Sequence, residues 1–302
     1  MPKKFPYPLF DCDNHYYEPA EAVLKYLPEQ YKHLFKYVQV DGRTKLAIDN
    51  HISDYIPNPT FEVVAAPGCH VEYYRGNNPE GKTFREFSVV EKGKPEYQYK
   101  TPRRYEVLEE HDLVGTLVFP TLASVIEVNM THNPGFCHAV IHSLNLWMKD
   151  EWGFGEDGKF YATPVITFID ADKAYEEAKW IIENGSKVVL IRPAAVAGPQ
   201  GFRHMGSPEF DKIWALLEEN NIFITFHNSD NGYSDVYNRQ KASVSEGEEF
   251  RPFAKTDTLG AVMDVNQLAT QHHLAGMICH GVFDRFPTLK CAYVETGSYW
   301  LY

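Results

Sequence analysis

An α/β fold is predicted for this chain: a (β/α)8 barrel with a large insertion after its first strand. Three observations carry the prediction. From residue 104 onward, short apolar runs alternate with segments of helical period, the pattern of a parallel sheet covered by helices. The runs are almost continuously apolar, as in strands buried on both faces. Polar residues then collect just after several different runs, on the side where barrel enzymes place their sites. Six strands can be counted, which would also complete an open doubly wound sheet. No Gly-x-Gly-x-x-Gly follows any of them, so nothing supports a dinucleotide site, and the chemistry at the strand ends favours the barrel.

The first strand is the apolar lead Leu9-Phe10, which runs into Asp11-Cys12-Asp13-Asn14-His15-Tyr16-Tyr17-Glu18. Residues two apart on a strand share a side, so Asp13 and His15 project together. Pro19 follows, and Ala20 to Leu27 reads as a helix. Residues 31 to 104 hold many prolines, glycines and mixed charges. Within them Asp41-Gly42 between Tyr37–Val40 and Thr44–Ile48 signals a hairpin. Residues 54–60 read as a loop. The stretch is expected to be an excursion over one end of a single domain spanning 1–302, carrying substrate contacts or a subunit surface.

The regular pattern starts at a short helix, Arg104 to His111. Leu113 to Pro120 is a buried strand and Cys137 to Lys149 a helix. Thr163 to Ile169 is the next strand. Asp170 or Asp172 caps a helix that ends at Asn184-Gly185. Lys187 to Arg192 is a strand stopped by Pro193. Ser207-Pro208 opens a helix with Phe210, Ile213, Trp214 and Leu217 as its buried stripe. Ile222 to His227 is a strand, residues 228 to 256 a polar loop, and Thr258 to His273 a helix. Lys290 to Glu295 is the last strand before the sequence ends at Tyr302.

Hydrophobic residues make up 44% of the 302 and charged residues 23%, ordinary for a soluble globular protein. The formal charge of -12 argues against a nucleic-acid surface, which needs clustered Lys and Arg. No apolar run approaches the roughly 20 residues of a membrane span, and the first residues lack the core of a signal peptide. The five cysteines are scattered and form no Cys-x-x-Cys pair, which fits reduced thiols and a cytoplasmic location. The three Cys-His dipeptides point their members to opposite faces and make no ready chelate.

The candidate chemistry is metal-assisted. Asp13 and His15 end the first strand and His227 ends the fifth. Two imidazole nitrogens and a carboxylate oxygen suit one divalent ion, zinc first and manganese second, with a position left for water or substrate. Glu295 closes the sixth strand, where it can move a proton if burial raises its pKa. Arg192 ends the fourth strand. It either holds a substrate carboxylate or pairs with an acid at the mouth. Glu18 supports the opening loop and the ligands, or caps a helix. His204 lies in a glycine-rich loop after the fourth strand, from which it either reaches the site or, the favoured reading, does not. His280 reads as structural, His272 and His273 as a solvated helix surface, and Trp147 and Trp152 as packing aromatics.

Taken together, Asp-x-Asp-x-His-x-x-Glu-Pro at 11–19, Ile-Thr-Phe-His-Asn-Ser-Asp at 224–230, and Gly281-Val282-Phe283-Asp284-Arg285-Phe286-Pro287 followed by a strand and Glu-x-Gly resemble the amidohydrolase-related proteins. These are metal-dependent TIM barrels of the amidohydrolase superfamily, in the branch that includes aminocarboxymuconate semialdehyde decarboxylase. The resemblance covers most of the chain apart from 31–104. It implies a metal held by a two-apart pair on strand one, a His on strand five and an Asp on strand eight. Asp13, His15 and His227 match the first three. Strands seven and eight, with that Asp, are expected beyond residue 302. The decarboxylases carry a His in a His-Gly-Gly-like turn where this chain has Glu295. The expectation is therefore a hydrolase acting on a small-molecule substrate at a carbonyl or ester-like carbon, as a homo-oligomer away from nucleic acid and membrane. The alternatives are non-oxidative decarboxylation of an aromatic or unsaturated carboxylic acid, and a ligand-binding barrel without catalysis.

Overall fold

Six parallel strands form the frame. The computed structural model describes residues 5–298 except 54, 57, 83, 89, 199, 200 and 241–264. In chain order the strands are β1 (Leu9–Tyr16), β2 (Phe35–Val40), β3 (Arg43–Ile48), β4 (His51–Ser53), β5 (Val63–Ala65), β6 (Val90–Lys92), β7 (Leu113–Pro120), β8 (Phe160–Ala162), β9 (Val188–Ile191), β10 (Phe223–His227) and β11 (Lys290–Val294). Strands β1, β7 and β8 make one parallel sheet, and β9, β10 and β11 another. A parallel bridge between Val165 and Leu190 joins the two. The frame agrees with the expected parallel architecture. No ladder between β1 and β11 closes a ring among the described residues.

Most elements lie where the sequence places them. β7 spans the whole expected run, and its last six residues are buried. The helix Ala171–Glu183 is capped by Asp170, whose side chain accepts from the N–H groups of Asp172 and Lys173. It stops where Gly185 takes a φ of 89°, a left-handed conformation that glycine adopts without a steric penalty. The helix expected at Cys137 to Lys149 is longer, Pro134–Glu151, because Asn133 accepts from the Phe136 N–H and starts it earlier.

Five readings are corrected. The Thr163 to Ile169 strand is instead the short β8, ending at Ala162. Pro164 has no N–H to give a ladder, so the strand pairing after it is reduced to the Val165 bridge and flanking bonds to Leu190, while the Val165 N–H donates to Asn145 Oδ1. The helix at Ala20 to Leu27 shrinks to Glu21–Leu24, and a 3-10 turn, Glu29–Leu34, follows Pro28. The helix opened by Pro208 begins as a 3-10 turn and turns α-helical only over Asp211–Glu219. The polar loop at 228 contains a helix, Ser234–Gln240; residues 241–256 of that loop and the start of the Thr258 helix lie outside the described residues. That helix, described over Val265–Cys279, continues past His273.

The insertion contains the expected hairpin. β2 and β3 pair antiparallel with Val40 opposite Arg43. Both turn residues, Asp41 and Gly42, have positive φ, which suits the twist of a two-residue hairpin. A second such turn, Asp49-Asn50, adds β4. β5 and β6 form a separate antiparallel pair. The insertion meets the end of β1, where the Tyr17 N–H donates to the Tyr97 carbonyl at 2.8 Å. The Tyr17 ring stacks on Phe61 at 4.4 Å.

Two buried clusters hold the frame. Tyr16, Val118, Phe119, Phe136, Trp147 and Trp152 anchor one between β1, β7 and the helix Pro134–Glu151. Phe168, Ile191, Phe210, Trp214, Phe226 and Met277 anchor the other under β9 and β10. Trp147 and Trp152 are packing aromatics, as expected. The five cysteines are free thiols. Among the described residues, no helix is long and apolar enough to cross a membrane.

Candidate metal centre

The centre begins with an irregularity in β1. Asp11 lies opposite Thr116, and Asn14 opposite Val118. Three steps on β1 therefore match two on β7, a β-bulge at Cys12-Asp13 that re-aims the strand. The Asp11 carboxylate pins it, accepting from the Asp13 N–H and the Asn14 Nδ2, each at 3.0 Å. Arg104 holds the far side. Its Nη1 donates to Asn14 Oδ1 and its Nη2 to the His15 carbonyl, each at 2.8 Å, while its guanidinium lies 5.0 Å over the Trp152 ring.

From this fixed strand end, Asp13 and His15 face His227, the last residue of β10. His15 Nε2 and His227 Nε2 are 3.1 Å apart. Asp13 Oδ1 is 3.4 Å from the first and 3.3 Å from the second. Of the described residues, only these form a group of three metal-ligating side chains brought together, with all ligand atoms within 4.8 Å. The cluster opens on one side: the Asp13 side chain is 42% exposed and that of His227 only 5%. Phe119 walls it from below, its ring 4.8 Å from that of His227.

Hydrogen bonding decides what the donors present. His227 Nδ1 lies 2.7 Å from the Asn228 carbonyl. A carbonyl only accepts, so Nδ1 carries the hydrogen and Nε2 of the neutral ring is a bare lone pair. Two imidazole nitrogens and a carboxylate oxygen thus converge, a set that a shared cation would satisfy. A proton serves one pair of atoms at a time, whereas a metal ion serves all three. Ligand atoms about 2.0–2.1 Å from a tetrahedral ion lie roughly 3.3 Å from each other, close to the separations seen here. The donor set fits a divalent ion. Burial alone would raise the Asp13 carboxyl, but the two facing rings hold it well below the ordinary range. Burial likewise opposes charge on His227, but the Asp13 carboxylate, the Asn228 carbonyl and Glu295 raise it overall.

Glu295 follows β11 directly, and its Oε2 is 3.6 Å from His227 Nε2. Its φ of 55° is left-handed, sparsely populated for any residue but glycine, and its side chain is 57% exposed, so the burial expected of it is not found. Arg192 has a partner of its own. Its Nε lies 3.4 Å from Glu127 Oε1, with both side chains buried, and its Nη1 donates to the Asp230 carbonyl at 3.2 Å. Of the two readings left open for Arg192, the structure supplies the acid.

Glu18 is buried and accepts from the N–H groups of Thr121 and Leu122. Burial raises its carboxyl to about 7 despite those bonds. The remaining histidines lie elsewhere. His204 stacks on His280 at 4.8 Å and lies 5.7 Å from His273. His273 is not a surface residue. It is buried with Nδ1 2.9 Å from the Tyr293 hydroxyl, because the Val265–Cys279 helix turns that face toward β10 and β11, where Phe226 and Tyr293 meet the ring. His272 is exposed, as expected, with Nδ1 3.1 Å from the Tyr233 hydroxyl. Thr121, Arg104 and Glu127 were missed. Thr121 was findable, since it follows an apolar run as His227 does.

No family model and no curated protein matches the chain. Among solved structures, an amidohydrolase from Mycobacterium avium subsp. paratuberculosis is 32% identical with a TM-score of 0.87, over 99% of this chain and 74% of that one. A 5-carboxyvanillate decarboxylase from Novosphingobium aromaticivorans, complexed with manganese and 4-hydroxy-3-methoxy-5-nitrobenzoic acid, is 14% identical with a TM-score of 0.53. That match covers 98% of this chain and 68% of the other. A 2,6-dihydroxybenzoate decarboxylase from Rhizobium is 15% identical with a TM-score of 0.48, over 65% and 56%.

Proposed function

The chain belongs to the amidohydrolase family, and from that premise we propose that it is a metal-dependent hydrolase, with Asp13, His15 and His227 holding one divalent ion. The observation that carries the proposal is the convergence of these three donors with a carboxylate, Glu295, beside them on the open side. Zinc is the first choice for a site with two imidazoles, and manganese the second. A bound ion supplies Lewis acidity, polarising a substrate carbonyl and lowering the pKa of a water.

The chain's own residues do the rest. Asn228 orients His227 through Nδ1 and keeps its Nε2 lone pair on the cluster. Asp11 and Arg104 hold the bulge that directs Asp13 and His15. Glu295 takes a proton from the attacking water and returns it to the leaving group, a general base and then an acid. Arg192, bound to Glu127, keeps the Asp230 loop in place beside the fifth strand.

The test is a panel of small esters, amides and lactones assayed with and without a chelator. Chelator-sensitive hydrolysis restored by zinc or manganese is expected, and Glu295→Gln should lower kcat by about 10²–10⁴-fold with the metal still bound. Release of carbon dioxide from aromatic carboxylic acids, with no hydrolysis of the panel, would replace this reading by decarboxylation.

A further inference from the structure

Where the ends of the first and second parallel strands meet, Thr121 sits at a junction that the ligand set does not include. It follows β7 directly, as His15 comes near the end of β1. The Thr121 hydroxyl donates to the Tyr16 carbonyl at 2.8 Å, and the same oxygen lies 3.4 Å from His15 Nδ1. A hydroxyl has one hydrogen, and here it is committed to Tyr16. Toward His15 the oxygen then accepts, an arrangement that favours the hydrogen on His15 Nδ1. The neutral ring is then bare at Nε2, the atom that faces His227 and Asp13.

Thr121 is itself held from behind. Glu18 accepts its backbone N–H at 3.2 Å and that of Leu122 at 2.8 Å. Glu18 is buried at 1% exposure, so both bonds are shielded from water. The chain thus runs from Glu18, three residues after His15, across to the β7 end and back to the His15 ring.

We propose that Thr121 is a positioning residue that fixes His15 in the tautomer whose Nε2 lone pair faces the cluster, with Glu18 fixing Thr121. The purpose of this device rests on the metal-centre reading above; the tautomer is set with or without an ion. Residues of this kind, bonded to the far nitrogen of a ligating histidine, change metal affinity by about 10–100-fold when removed.

The test uses the full chain labelled with 15N in its histidine rings. Metal-free protein at a pH where His15 is neutral is read by two-bond 1H–15N correlation, with the His15 signals identified by their loss in His15→Gln. Wild type and Thr121→Ser should show His15 with hydrogen on Nδ1, and Thr121→Val should shift it toward Nε2. Zinc affinity, measured by competition with a chelator, should fall about 10–100-fold in Thr121→Val and stay near wild type in Thr121→Ser. Glu18 bonds the backbone in every variant, so this tie between the strand ends survives although the hydroxyl bond to Tyr16 is lost. Should Thr121→Val nevertheless fail to fold, Thr121→Ala takes its place in both measurements. An unchanged tautomer and zinc affinity in the hydroxyl-free variant overturns the proposal. Wild-type protein that binds no zinc or manganese would sink the functional reading instead, and the tautomer comparison would still decide the part played by Thr121.

Discussion

Discharging Glu127 is expected to destabilise the fold by about 3–5 kcal/mol, the usual cost of breaking a buried ion pair from one side. The Arg192 and Glu127 side chains are 4% and 7% exposed, and the charged atoms are 3.4 Å apart. At an effective dielectric of about 20, two unit charges at that distance attract by roughly 5 kcal/mol. Besides Glu127, the guanidinium has the Asp230 carbonyl on Nη1, the Asp230 carboxyl as a second charge neighbour and no hydrogen-bond geometry at Nε. Glu127→Gln keeps the volume and removes the charge, leaving a buried cation. Thermal unfolding should show a Tm lower by roughly 10 °C, from about 2–4 °C per kcal/mol for a chain of this size class. The double variant Glu127→Leu with Arg192→Met should recover most of the loss, because an apolar pair of similar volume has no ions to desolvate. A Glu127→Gln Tm within about 2 °C of wild type, or strictly additive single and double variants, would refute the pairing. Arg192 would then be free to meet a substrate carboxylate.

Other consequences can be measured in the same preparations. Gly276→Ala would drive a Cβ into the His204 ring, and overpacking of this kind costs about 1–3 kcal/mol; urea midpoints check it, and an unchanged midpoint contradicts the packing. Arg104→Met removes the bonds to Asn14 and to the His15 carbonyl, so zinc affinity should drop while far-UV circular dichroism stays native; equal affinity would show that β1 is held without it. Burial first, with neighbouring positive charge, holds His138 at about 4 and His273 at about 3, below the roughly 6.5 of free imidazole. The unfolded chain therefore binds more protons between these values, and the stability from the two rings is complete above about pH 6.5 and lost as pH falls toward 4 and 3. Urea midpoints should drop between about pH 7 and pH 5, less steeply in His273→Gln; the same slope in both proteins would count against it.

The parts of the fold that could be read from sequence are those set by local pattern. β7, β9, β10 and β11 are apolar runs with sharp polar or proline ends. Asp170 and Gly185 mark their helix by capping chemistry alone. Asp41-Gly42 sets its hairpin through two residues tolerant of positive φ. What escaped depends on tertiary partners. The strand position of Asp13 and His15 was legible, but the bulge that re-aims them was not, because it depends on the β7 ladder and on the Asp11 carboxylate. β8 gave way at Pro164, whose missing donor outweighs the apolar character of Thr163 to Ile169. His273 was misplaced because a helix with weak amphipathic contrast does not announce which face is covered. In the site, Asp13, His15 and His227 could be found as polar residues at strand ends. The pair Glu127–Arg192 spans 65 positions, and neither residue carries a local signal for the other.

Metal content tests the account most directly. Purified protein reconstituted with zinc or manganese and passed through a desalting column should retain a single divalent ion per chain by elemental analysis. His15→Ala and His227→Ala should retain much less while keeping a native circular dichroism spectrum. Equal retention in the two variants and the wild type would contradict the account, because the ion would then be held by other residues.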